Sequence, residues 1–117
     1  MTPPAAPTPY VPDHGDVVWL DFSPQAGHEQ SGHRPAIVLS PRVYNARAGL
    51  MICCPVTNKR KGYPLEVAVE AGNVRGVALD DHVKSVDWQA RNAVPIGQAK
   101  QAAQDVARLV AALIGAQ

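Results

Sequence analysis

No apolar run in the chain approaches the roughly 20 residues that a bilayer-spanning helix needs, so a helical membrane role is excluded at the outset. Cysteine is equally scarce. Cys53 and Cys54 are the only two, and they are adjacent. Neighbours on a strand point to opposite faces, and a bridge between them needs a strained geometry. Two free thiols in a reducing cytoplasm are expected, in preference to a redox switch. The four histidines, His14, His28, His33 and His82, form no HExxH and no zinc-type spacing. No glycine-rich phosphate loop leads from a strand into a helix, and no GxSxG is present. The acids Asp80 and Asp81 are adjacent and would point apart on a strand, which argues against a shared carboxylate site. No metal and no cofactor is therefore expected. Basic residues are missing from the first 29 positions. The first twelve residues hold five prolines and match neither a secretory signal nor a transit peptide. They read as a flexible, polyproline-like arm over 1–12, ahead of a single domain over 13–117.

What is present is a chain of 117 residues, enough for one domain with a small core, to which a dimer would add stability. Its net charge of +1 hides a strong asymmetry: −4 over residues 1–29, +6 over 30–65 and −1 over 66–117. The middle third can present a basic surface to a polyanion, or its charges can pair with the flanking acids. Strand patterns run to about residue 97. DVVWLDF (16–22) alternates, PAIVLS (35–40) is continuously apolar as in a strand buried on both faces, and LMICCPVT (50–57) follows after a connection with one helical turn. NKRKGY (58–63) reads as an exposed basic loop, PLEVAVE (64–70) as an alternating strand and AGNVRG (71–76) as a turn. VALDDHVKSVDW (77–88) reads as one bent strand or two short ones, and AVPIG (93–97) as a last short strand. Val106, Leu109, Val110, Leu113 and Ile114 then form one helical stripe, with Gly115 as its stop. The fold expected is mainly β: a small antiparallel barrel or sandwich closed by a C-terminal amphipathic helix. Trp19, Phe22 and Trp88 lie in apolar strand patterns and are expected in the core.

Several blocks in order carry a resemblance. GDVVWLDFSP (15–24), GHEQSGHRPAIVLSP (27–41), the Tyr44–Asn45 pair, PVTNKRKGYPLEV (55–67) and GVALDDHVKSVDW (76–88) together resemble the MazF/PemK family of toxin ribonucleases, nearest its MazF branch. The likeness runs from about Tyr10 to Gly115. It implies an SH3-like β barrel with a C-terminal helix. It also implies a cytoplasmic homodimer that cuts single-stranded RNA through the ribose 2′-OH without metal, and a cognate MazE-like antitoxin that blocks the RNA groove. The family's catalytic arginine falls on Arg34, its threonine on Thr57, and the Glu-Gln of its loop on Glu29 and Gln30. RNA contacts are expected from Gln30, His33, Asn45, Lys59, Arg60, Lys61 and Lys84. Asn58 replaces the Thr or Ser that commonly follows the catalytic threonine, and His82 replaces a common glutamine. These departures bear on which RNA sequence is recognised.

The chemistry suits those residue types. Attack of a 2′-OH on phosphorus builds negative charge on the phosphoryl oxygens, and a guanidinium meets a phosphate with a fixed fork of donors. Arg34 is expected to stabilise that charge, Thr57 to hydrogen-bond the same phosphate, and Glu29 to accept or position the 2′-OH proton. His33 has the better intrinsic pKa for proton transfer, yet alternation turns it away from Arg34. Two other classes remain open on sequence: a gyrase-poisoning toxin of the same fold, and a catalytically silent RNA-binding module.

Overall fold

The computed structural model describes residues 10–22, 32–60, 62 and 64–116. Among these residues the elements are β1 (Asp16–Phe22), β2 (Gly32–Val38), α1 (Arg42–Ala48), β3 (Met51–Thr57), β4 (Glu66–Ala71), β5 (Val74–Leu79), β6 (Lys84–Val86), β7 (Val94–Gln98) and α2 (Lys100–Leu113), with a 3₁₀ turn at Asp80–His82. The strands form one antiparallel sheet in the order β4-β5-β3-β2-β1-β7, and β6 pairs with β3 alongside its first residues. The stretch 77–88 is thus one bent path, β5 and β6 on the same partner strand, broken by the 3₁₀ turn. The sheet curls into a half-barrel until the β4–β5 turn meets β7. A Cβ at Gly72 would lie 2.8 Å from Ile96 Cγ2, so glycine is what permits the closure.

Alternation on β1 to β3 buries both faces. Val17, Ile37, Cys54 and Val56 face one core, shared with Ala103 and Val106 of α2. Val18, Leu20, Ala36, Val38, Met51 and Cys53 face the other, with Val86 and Trp88. Each fully buried aliphatic side chain contributes about 1.5–3 kcal/mol, so these three strands anchor the domain. Cys53 and Cys54 fall in different cores as free thiols, as strand alternation requires.

Three local expectations change. Within 71–76 only Gly72 and Asn73 turn; Val74 starts β5 because its side chain is buried in the first core. The connection before β3 is a seven-residue helix, α1, ended by Gly49 at φ 72°, whose N–H donates to the Asn45 carbonyl. Residues 10–12 of the expected arm are packed on the domain. Tyr10 Oη donates to Asp16 Oδ2 at 2.6 Å, Tyr10 and Val11 cover the second core, and Pro12 is fully buried. The rest of the arm lies outside the described residues. The helical stripe of α2 is half covered: Val106 is buried, while Leu113 and Ile114 stay 47% and 74% exposed. Gly115, at φ 84°, follows the end of α2, as its place in the sequence suggests.

Candidate active site

Strands β2, β3 and β5 end around a cleft of about 630 Å³. Register decides what meets there. β2 pairs with β3 so that Val38 faces Cys53 and Ala36 faces Pro55. That ladder ends at Ala36 and Pro55; two residues beyond it on each strand, Arg34 and Thr57 both line the cleft. On the other side of β3, Val77 of β5 is opposite Thr57. Gly76 makes that approach possible, since a Cβ there would lie 2.3 Å from the Thr57 carbonyl oxygen. The Thr57 hydroxyl accepts the Lys59 backbone N–H at 3.2 Å, so its own proton is left as a donor.

The lining is electropositive. His33, Arg34, Arg75 and His82 border the cleft and no carboxylate does, among the described residues. Acids stand behind three of these: Asp21 lies 3.8 Å from His33, Glu70 lies 3.9 Å from Arg75, and Asp81 lies 4.0 Å from His82. All three pairs are exposed and solvent-screened, so they orient these side chains without locking them. Trp19 forms part of the wall, edge-on to His33 with ring centroids 6.3 Å apart. Its indole also packs on the first core, as expected. Trp88 is buried and donates from Nε1 to the Asn45 carbonyl at 2.9 Å. The side chain of Phe22 lies outside the described residues.

The residues singled out from the sequence divide clearly. Arg34 and Thr57 come together. His33 joins them although it does project opposite to Arg34: it faces Asp21 across the ladder where Arg34 faces Leu20. At the strand's end both faces border the cleft, so alternation does not remove His33. Lys59 and Arg60 are exposed just past β3, next to Asn58 on the lining. Lys84 sits on β6 opposite Cys53 and does not border the cleft. Asn45, expected to contact RNA, is instead fully buried. Its side chain accepts Ser40 Oγ–H at 2.6 Å and donates to the Pro12 and Ser40 carbonyls, which spends it on joining α1 to β1's approach. Glu29, Gln30 and Lys61 lie outside the described residues. Sequence reasoning missed Arg75 and Asn73, having read 71–76 as a turn. The burial of Val74 and Gly76 on either side of Arg75 is the strand signal that points Arg75 outward.

Burial pushes the Cys53 thiol up to about 11 and, with Asp80 adding to it, Cys54 up to about 12, so neither is a thiolate nucleophile at neutral pH. Among the described residues, no three of His, Cys, Asp and Glu are grouped as metal ligands would be. None of the described helices is long and apolar enough to cross a membrane.

A family model described as the PemK-like, MazF-like toxin of type II toxin–antitoxin systems matches residues 13–114. The chain belongs to this toxin family. This MazF-family chain is 53% identical over 88 residues to the endoribonuclease toxin MazF of Escherichia coli (strain K12), covering 75% of this chain and 79% of that one. It is 38% identical over 93 residues to the endoribonuclease toxin ChpB of the same strain, with 74% and 79% covered. It superposes on the crystal structure of MazE–MazF (Form-II) from Deinococcus radiodurans with a TM-score of 0.86 at 50% identity, over 93% of this chain and 100% of that chain. The MazF-family half-barrel with its C-terminal helix is therefore the architecture of this chain.

Proposed function

We propose that this toxin is a sequence-specific endoribonuclease that cuts single-stranded RNA in the cleft between β2, β3 and β5. The observation that carries the reading is that Arg34, from β2, and Thr57, from the end of β3, line the same cleft. The relatives named endoribonuclease support it, and they weigh against the gyrase-poisoning and silent-module alternatives.

In this reading the nucleophile is the substrate's own 2′-OH, which also separates RNA from DNA. Its oxygen attacks the adjacent phosphorus, the bond to the 5′-oxygen of the next nucleotide breaks, and that oxygen takes a proton from solvent to leave as the 5′-hydroxyl. Arg34 stabilises the charge that grows on the phosphoryl oxygens, and the Thr57 hydroxyl donates to one of them. Glu29 is assigned to the 2′-OH proton. Gln30, His33, Lys59, Arg60 and Lys61 contact the strand, and Asn58 and His82 contribute to base choice. No metal takes part. The chain works in the cytoplasm, and a MazE-like antitoxin restrains it by laying an acidic segment into the same cleft. The MazE–MazF structure of the Deinococcus relative supports that partner.

The active form is a homodimer. In support, a second groove of about 500 Å³ between α1 and α2 is walled by Leu39, Tyr44, Ile52, Val110 and Ile114. Ser40 is also on its wall, and its hydroxyl is already spent on Asn45 and Ile52. Groove and exposed apolar knobs share one face, which suits a self-complementary two-fold contact.

The deciding experiment is cleavage of a defined single-stranded RNA in EDTA. Wild type should leave a 2′,3′-cyclic or 3′-phosphate and a 5′-hydroxyl, and RNA with 2′-deoxy at the cut nucleotide should bind but stay intact. Arg34→Ala and Thr57→Val should each lose about 100-fold or more in rate, the scale for removing one transition-state donor, while circular dichroism shows them folded. Wild-type rates in either folded variant, or cleavage of the deoxy substrate, would overturn the assignment.

A further inference from the structure

The wall of the cleft beyond Thr57 carries a cation to which the proposed reaction gives no task. Val74 and Gly76 are buried, so Arg75 between them projects from the other side of β5 and lines the cleft. β2 and β5 flank β3, which puts Arg34 and Arg75 on opposite walls of the cleft. Thr57 lies on the strand between them. The Arg75 side chain is 83% exposed, and its ion pair with Glu70, 74% exposed, is long at 3.9 Å. Such a pair holds little energy in water and can yield to a stronger anion.

A single strand of RNA carries a phosphate at every nucleotide. With one phosphate at Arg34 and Thr57, the strand must leave the cleft along one wall or another. No carboxylate lines the cleft itself, among the described residues, and Arg75 offers a bidentate fork on its β5 wall. We propose that Arg75 binds a second phosphate of the same RNA strand, neighbouring the scissile one, and so sets the direction in which the strand crosses β3. The inference rests on the RNA-cleaving reading given above. Arg75 is a binding and positioning residue here, and the chemistry stays with Arg34 and Thr57.

The test uses the full chain and a fluorescent single-stranded RNA carrying 2′-deoxy at the cut nucleotide, with affinity read by anisotropy at several salt concentrations. Arg75→Ala should bind about tenfold more weakly at low salt. Its slope of log affinity against log salt should be shallower by roughly 0.7, the value for one phosphate contact on a single strand. On cleavable RNA the same variant should raise KM about tenfold and leave kcat within about twofold. Arg75→Lys should restore the salt slope, because charge is kept, with only part of the affinity. Glu70→Ala breaks the same surface pair and should leave the slope as in wild type. An unchanged slope in Arg75→Ala, or an equal loss in Glu70→Ala, overturns the inference while wild-type cleavage keeps the endoribonuclease reading standing. A wild type that binds this RNA without cutting its all-ribose form would sink the endoribonuclease reading, and the slopes would still decide Arg75.

Discussion

Asp16 and Asp80 are both buried carboxylates, held in opposite ways. Asp16 accepts from Tyr10 Oη, from the Asp13 backbone N–H and from Gln98 Nε2. Asp80 is fully buried and neither of its carboxylate oxygens has a hydrogen-bond partner. Burial, with the Asp81 charge added, pushes its carboxyl from 3.8 up to about 6. The folded state therefore holds the proton more tightly than the unfolded chain does. Asp80's contribution to stability is greatest below about pH 4, is lost as pH rises between about 4 and 6, and stays reduced above that window. A shift of this size corresponds to about 2–3 kcal/mol. Asp80→Asn should recover about 2 kcal/mol at pH 7.5 and almost nothing at pH 4. Urea unfolding at the two pH values checks this, and a gain of the same size at both would show that the charge is not the cause. The sequence shows two adjacent acids. It cannot show that one of them is buried, because that follows from where the 3₁₀ turn packs against α2.

At the scale of elements, the place of Thr57 depends on how closely β5 can approach β3. Gly76 has no substitute there: an added Cβ would sit 2.3 Å from the Thr57 carbonyl oxygen and 2.9 Å from its carbon, both backbone atoms that cannot swing aside. Gly76→Ala should cost about 1–3 kcal/mol in stability, as overpacking does. It should also slow RNA cleavage, because the strand carrying Thr57 must move. The variant's cleavage rate, measured well below its unfolding temperature, decides the second part, and a wild-type rate would show that Thr57 tolerates the shift. Much at this scale was legible beforehand. The bounds of β1 follow from alternation in 16–22, and the separation of Cys53 from Cys54 follows from the two-residue period of β3. Asn45 was misjudged because it lies beside Tyr44 in a family block, and a block does not tell a surface amide from one that ties α1 to the chain entering β1. Arg75 was overlooked because Gly72 and Asn73 do form a turn, and nothing local marks where the turn gives way to strand.

At the scale of the whole molecule, a chain of 12.4 kDa leaves apolar surface that its own core does not use. Val43, Tyr44, Ile52, Leu113 and Ile114 are each 39% exposed or more. Ile114, at 74%, is the most prominent. If this face joins two copies, sedimentation of the wild type should report twice the mass of the chain. Ile114→Lys should shift it toward monomer with the far-ultraviolet spectrum unchanged, because Ile114 lies past the end of α2 and adds little to the fold of one copy. A variant that remains fully dimeric would place the two-fold contact elsewhere.

The sequence by itself determined the mainly β architecture, the amphipathic helix after it and the family, and it proposed Arg34 and Thr57 as a pair. Those depend on residue period and on short ordered blocks, which are local properties of the chain. Only the tertiary structure decided that Arg34 and Thr57 line one cleft, that Asn45 is sealed in the interior, that neither carboxylate oxygen of Asp80 has a hydrogen-bond partner, and that Arg75 stands on the cleft's far wall. Each of these depends on ladder register and on the curl of the sheet, which join residues distant in the chain, and no local pattern encodes the distance between them.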